Sequence, residues 1–254
     1  MKYTLVVIAF FAQTILLMAQ KKVWVGKADK ILNFQFHYTY TEAGGDFSSR
    51  FNTFNGLGFG VILKTRHNVL LSFDGAYYFG NDIKQNNVLF NLTNSSSYIN
   101  NASGYPAEFN LGMRGFSVMG RAGYLFPISA RNRNSGIALM LGGGLVQHKL
   151  HIAVNREDIP ALTEEKKAGY DRYSSGFGLT QFVGYFHQSR NRRINFYAGA
   201  DLIQAFTYNR RKFNYDEMRY DTELHQDQYL SIKLGWMIPM YLKAGEESDE
   251  FYFE

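Results

Sequence analysis

The stretch Leu32-Asn33-Phe34-Gln35-Phe36-His37-Tyr38-Thr39-Tyr40 alternates without a break, its even positions apolar or aromatic and its odd positions polar. Successive side chains of a β-strand point to opposite faces, so this segment has one greasy face and one wet face. Its length matches the roughly 9 to 11 residues that a tilted strand needs to cross a bilayer.

The pattern recurs along the chain. Strands are expected at about 32–40, 54–63, 69–79, 111–126, 137–145, 177–186, 194–208 and 230–238. In the second, Leu57, Phe59, Val61 and Leu63 share one face and Gly56, Gly58 and Gly60 the other; in the third, Val69, Leu71, Phe73, Tyr77 and Phe79 oppose Ser72, Asp74, Ala76 and Tyr78. The fourth changes phase, with Leu111 and Met113 odd but Phe116, Val118, Ala122, Tyr124 and Phe126 even, and a β-bulge near Arg114-Gly115 would reconcile its halves. The sixth reads least cleanly because both its faces carry aromatics. Connections alternate long and short from first to last, the loop asymmetry of outer-membrane barrels, with short turns on the periplasmic side. A soluble sandwich or lipocalin-like barrel would bury its apolar face, whereas here polar residues and glycine share the opposite face, the composition of an enclosed interior.

Lys2, the apolar run 5–18 and Ala19 read as a secretory signal peptide cleaved near Ala19 or Gln20. No later apolar run approaches the roughly 20 residues of a membrane helix, which excludes a helical inner-membrane protein. The 254 residues contain no cysteine, so neither a disulfide framework nor a lipidation site exists, and a closed barrel supplies rigidity instead. An aromatic fraction of 17% with 24 glycines and 4 prolines fits aromatic-belted strands. The basic balance, pI about 9.2, fits lipid phosphates or an acidic partner; export argues against nucleic acid. The expected organisation is a signal peptide (1–20), a periplasmic N-terminal segment (21–30), a barrel (31–242) and an acidic, aromatic periplasmic tail (243–254), with both termini periplasmic.

The strand pattern, the strand end Gly123-Tyr124-Leu125-Phe126-Pro127 and the amphipathic last strand together resemble the small eight-stranded outer-membrane barrels of the OmpX and OmpA-transmembrane-domain type, over about residues 31–242. The resemblance implies an all-β, eight-stranded antiparallel up-and-down transmembrane β-barrel in the cell outer membrane, in contact with its lipid and lipopolysaccharide. The many aromatics and asparagines, with the ending Glu250-Phe251-Tyr252-Phe253-Glu254, look like Bacteroidota envelope proteins. Barrels of this type often stop at an aromatic residue closing the last strand, whereas here a tail continues past Tyr241.

An eight-stranded barrel has an interior that side chains fill, so a packed plug is the first expectation. Asp74, Arg121, Asp201 and Lys233 fall on inward phases in one layer, with Asp74 paired to Arg121 and Asp201 to Lys233 on neighbouring strands. Paired buried charges are tolerable and fix strand register, whereas unpaired ones are costly. The glycines at 56, 58, 60 and 142–144 are expected to make room for Met140, Tyr78 and Tyr197. The short turns are basic, through Lys64 and Arg66, Arg131 and Arg133, and Arg190, Arg192 and Arg193, forming a periplasmic collar for inner-leaflet phosphates. Phe251, Tyr252 and Phe253 are candidates for docking the tail, as an added strand, on this barrel or on a partner subunit.

Small outer-membrane barrels that modify lipid A use Ser with His and a carboxylate near the surface side. His37, His148 and His151 lie on outer strand halves, yet no GxSxG or HExxH spacing is present, and His37 continues the inward phase of Asn33 and Gln35 as a satisfied lumen histidine. Loop aromatics such as Phe90, Tyr98, Tyr105, Phe213, Tyr215 and Tyr220 serve either loop packing or contact with partners and sugars. The function expected is therefore that of a plugged structural or accessory subunit of an outer-membrane complex for secretion, assembly or envelope integrity, non-enzymatic and without cofactor or metal. A lipid A-modifying enzyme and a narrow pore are the alternatives.

Overall fold

A two-residue period gives each alternating segment one face to enclose and one to leave outside, and each becomes a strand. The computed structural model describes residues 28–85, 88–93, 99–129, 132–154, 159–160, 162–189, 194–211 and 213–242. Its strands are β1 (Ile31–Gly45), β2 (Thr53–Lys64), β3 (Val69–Gly80), β4 (Phe109–Ser129), β5 (Asn132–Val154), β6 (Ser174–Gln188), β7 (Asn195–Asn209) and β8 (Leu224–Tyr241). Each pairs antiparallel with its chain neighbours, and β1 pairs with β8 from Ile31 opposite Tyr241 to Gly45 opposite Asp227, which closes an eight-stranded up-and-down barrel. The expected signal peptide and the tail with Phe251, Tyr252 and Phe253 lie outside the described residues, as do Tyr98, Arg131, Arg190, Arg192 and Arg193.

The short connections lie at one end of the barrel, the turn end; the long ones gather at the other, the loop end. A short 3₁₀ turn, Asp46–Ser49, lies between β1 and β2, and helix α1 (Glu164–Tyr170) lies between β5 and β6. The outer wall is apolar and bare: Phe59 is 68% exposed, Leu145 66% and Trp236 62%. Inward, β1 presents buried Asn33, Gln35, His37, Thr39 and Thr41.

β4 corrects the expected bulge. It pairs without a shift from Val69 opposite Tyr124 to Gly80 opposite Met113, and against β5 the register slips only between Pro127 and Ser129. Odd positions face inward along its length: Met113 and Met119 are buried beside Arg121 and Leu125. Met113 is apolar and inward because the loop half of the lumen is itself apolar, so what changes along β4 is the chemistry of the interior and not the phase of the strand. β5, at 23 residues, is about twice a membrane crossing, and its loop half helps wall this upper interior.

Candidate functional site

The candidate site is the lumen and the cap of loops above it. At the turn end the interior has a polar floor. Lys64, the last residue of β2, is buried and donates to the Asp29 carbonyl at 3.2 Å and to Asn134 Oδ1 at 2.9 Å, while Asn134 Nδ2 donates to Asp29 Oδ2 at 2.7 Å. This corrects its place in the expected phosphate-facing collar: an even position of β2 points inward, and the ammonium closes the mouth. Arg66 is exposed on its turn and Arg133 is half-buried. Gln188 Nε2 donates to Asn33 Oδ1 at 2.7 Å, which joins β6 to β1 across the floor.

Above the floor lies an apolar layer of Ile62, Leu70, Leu125, Met140, Phe182, Phe186, Tyr197 and Met237. Tyr197 stacks on Phe186 with ring centroids 5.0 Å apart. Its room comes from Gly235, where an added Cβ would run into the ring, and the room for Met140 comes from Gly123; neither is among the glycines expected to provide it, whereas Gly56 does clear Tyr78.

The four expected charges meet at the next level, in one network and not as two separate pairs. Arg121 bonds Asp74 through Nη1, Asp201 through Nη2 at 2.8 Å and Thr180 Oγ1 through Nε at 3.1 Å. Thr180 donates on to Asp201 Oδ1 at 2.8 Å, and Lys233 Nζ donates to Asp74 Oδ2 at 3.1 Å and lies 3.7 Å from Asp201. The two acids and two bases, each at most 5% exposed, thereby tie β3, β4, β6, β7 and β8 together. A guanidinium presents donors along several directions in one plane, so Arg121 can reach across the lumen as well as to the adjacent strand. His37 lies beside this network, its Nε2 3.9 Å from Asp74 Oδ2, and neither ring nitrogen has a hydrogen-bond partner among the described residues. The expectation of a satisfied histidine is corrected: its strand neighbours across the ladder, Gly58 and Gly235, offer no side chain to bond it.

The loop half is filled by rings. Phe47, in the 3₁₀ turn, drops into the barrel mouth and packs on Phe51, Phe54 and Tyr229 at centroid distances of 4.8, 5.6 and 4.9 Å. Beneath this stopper His148 Nε2 meets Asp227 Oδ2 at 2.9 Å, and Thr207 Oγ1 donates to the same oxygen at 2.6 Å. The histidine ring lies 4.5 Å from that of Phe47. Its Nδ1 is buried without a partner, so no hydroxyl nucleophile bonds this histidine among the described residues. His151 faces away from the interior and is half-buried. Asp227 is absent from the expected lumen charges because the alternation places the start of the eighth strand at 230; the strand begins at Leu224, and its odd, inward phase of Tyr229, Ser231 and Lys233 extends to Asp227.

The cap above is ionic. Arg211 bonds Asp171 through Nε at 2.8 Å and again through Nη2, joining the β7–β8 loop to the β5–β6 loop, and Arg172 bonds Asp216 and Glu217 the other way. The hydrogen bond to Asp171 raises the Arg211 guanidinium above its ordinary value. Burial pushes the Asp221 carboxyl up, but the hydrogen bond and charge of His225 outweigh it and hold the acid below the usual range. Glu217 is likewise lowered, burial being overcome by Arg219 and Arg172. Val88, Leu89, Ile99, Ile159, Leu162 and Tyr170 pack below these pairs as an apolar lid. Phe90, Tyr105 and Tyr220 remain exposed at the tips.

No family model and no curated protein sequence matches the chain. Among solved structures it is similar to Ail, the attachment invasion locus protein of Yersinia pestis, in complex with the heparin analogue sucrose octasulfate, at 9% identity and a TM-score of 0.41 over 82% of this chain and 99% of that one. Neisserial surface protein A aligns at 12% identity and 0.43, over 84% and 99%. A major outer membrane protein of Thermus thermophilus aligns at 8% identity and 0.45, over 81% and 98%. Nothing in these likenesses bears on the Bacteroidota resemblance, and the architecture rests on the hydrogen-bonded ring itself: the chain is an eight-stranded antiparallel barrel, apolar outside and polar or ring-filled within.

Proposed function

We propose that the chain is an outer-membrane barrel with both termini on the periplasmic side, acting as a non-conducting structural or accessory subunit of an envelope complex for secretion, assembly or envelope integrity. The observation that carries this reading is the cross-lumen network of Asp74, Arg121, Asp201 and Lys233, with a polar floor below and a ring stopper above it. Three successive closures in a lumen of this width leave ions no continuous wet path. The bare apolar wall supports the membrane placement, because water-soluble monomers rarely expose contiguous apolar patches beyond a few hundred Å². Lipid tails and lipopolysaccharide then cover that wall, and protein partners are met by the surface loops and the tail 243–254.

Bilayer recordings on the purified full chain test the plug. The wild type is expected to show no steady conductance, and the Asp74→Asn, Asp201→Asn double variant to open transient leaks. Large steady wild-type conductance would overturn the reading in favour of a pore. An altered lipid A acyl pattern in cells carrying the protein, seen by mass spectrometry, would overturn it in favour of an enzyme. Deleting residues 245–254 is expected to remove co-purifying envelope proteins, and an unchanged partner set rejects the docking role of the tail.

A further inference from the structure

Arg114 and Lys149 stand directly opposite each other across β4 and β5, on the outside of the barrel. Arg114 shares the outward phase of Phe116 and is half-buried; Lys149 shares that of Leu145 and is exposed. Directly opposed side chains on one face of a sheet have Cβ atoms about 5 Å apart, and like charges placed so are destabilising. Neither base forms an ion pair among the described residues. Arg114 Nη1 donates to the Met113 carbonyl at 2.8 Å and to the Gly80 carbonyl at 3.4 Å, which holds the guanidinium in place and leaves its Nε and Nη2 without a bond among the described residues. His151 lies on the same face one step further from the membrane wall. Burial first, and then the charges of Arg114, Lys149 and Lys167, lower its imidazole from the ordinary value, with no described carboxylate opposing them.

Height decides what this pair meets. The cross-strand row one step nearer the turn end runs through Leu57, Tyr77 and Phe116, all exposed, and ends at Gln147. The row of the bases themselves runs from Lys149 and Arg114 through Phe79 and Asn55 to Tyr40 and Ile232 without another charge. The positive charge is therefore confined to one flank, at the upper rim of the apolar wall. Aromatic side chains such as Tyr77 mark the level where hydrocarbon gives way to headgroups in barrels of this kind.

We propose that Arg114 and Lys149 hold the phosphate of one outer-leaflet lipid headgroup, of the lipopolysaccharide class, against the β4–β5 flank. The inference rests on the membrane placement proposed above and adds to it the position and chemistry of one lipid contact. A phosphate between the two bases replaces their repulsion with charge-assisted hydrogen bonds, the guanidinium offering a planar fork and the ammonium a point charge. Acyl chains of the same molecule then lie along Phe116 and Tyr77 in the row below, so the headgroup and the tails meet surfaces of matching chemistry on one flank.

The test uses the full chain in neutral detergent and in phosphatidylcholine vesicles. In native mass spectrometry the wild type is expected to retain diphosphoryl lipid A about tenfold better than its dephosphorylated form, and the Arg114→Gln, Lys149→Gln double variant to show no preference. Lys149→Glu sets an acid opposite Arg114, so it is expected to raise the thermal midpoint in neutral detergent while abolishing the lipid preference. Equal retention of the two lipids by the wild type, a preference that survives the double variant, or a midpoint lowered by Lys149→Glu would overturn the proposal. Displacement of lipid A by an equal concentration of inorganic phosphate would overturn the lipid assignment in favour of a free-phosphate site. Wild-type protein that fails to float with the vesicles would overturn the membrane placement and the site with it, whereas flotation without a lipid preference rejects the site alone.

Discussion

The charged middle layer of the lumen and its loop half are lined by the same eight strands yet are filled by different chemistry. Below, Arg121 and its partners fill the middle with directional bonds; above, Phe47, Phe54, Tyr78 and Tyr229 fill it with interlocked rings. Directional bonds accept one register and fail together when one member is lost. Ring packing is set by volume, so its losses are graded and its members individually replaceable. The lower layer thus specifies how the strands meet, while the upper layer seals.

Arg121→Met puts the greatest strain on this contrast. It leaves Asp74 and Asp201 facing Lys233 alone, and an expected loss of about 3 to 5 kcal/mol should appear in denaturant unfolding from detergent. Replacing all four members together, Asp74→Asn, Arg121→Met, Asp201→Asn and Lys233→Met, removes every charge at once and is expected to be near neutral. If the fourfold variant falls as far as the single one, charge pairing does not govern this layer.

In the upper half Phe47→Ala is expected to cost about 3 kcal/mol, because a buried ring leaves a cavity under the loops. Tyr229→Phe isolates a smaller contribution. The Tyr229 hydroxyl is buried without a partner among the described residues, so its removal should change stability by less than about 1 kcal/mol. A loss above about 2 kcal/mol in the same unfolding assay would mean that the hydroxyl is bonded after all.

The smallest effect belongs to the cap and depends on pH. The carboxyls of Asp221 and Glu217 lie below their ordinary values of 3.8 and 4.5. Their contribution is full above those values and is lost as pH falls through the depressed ones. Hydrogen-exchange protection of residues 213–223, corrected for intrinsic rates, should therefore fall as the pH drops below about 4.5, while the lower lumen holds. Unchanged protection would separate the cap from these ion pairs.

Much of this architecture was legible in advance. Asn33, Gln35 and His37 between Phe34, Phe36 and Tyr38 fix inside and outside from a two-residue period, and the alternation of long and short connections sorts the turns to one end and the loops to the other. Polarity misled where it was taken for orientation. Apolar Met113 reads as outward and charged Lys64 as part of a collar, yet each faces inward, where the local lumen suits it.

Strand period, strand number and the inward phase of Asp74, Arg121, Asp201 and Lys233 were set by the order of residues alone, because these are local properties of a pleated chain. That Arg121 bridges Asp74 and Asp201 and that His148 finds Asp227 came only with the closed barrel. Ring closure brings side chains from strands and loops far apart in the chain into contact across a lumen only a few side chains wide, and alternation carries no record of what lies across it.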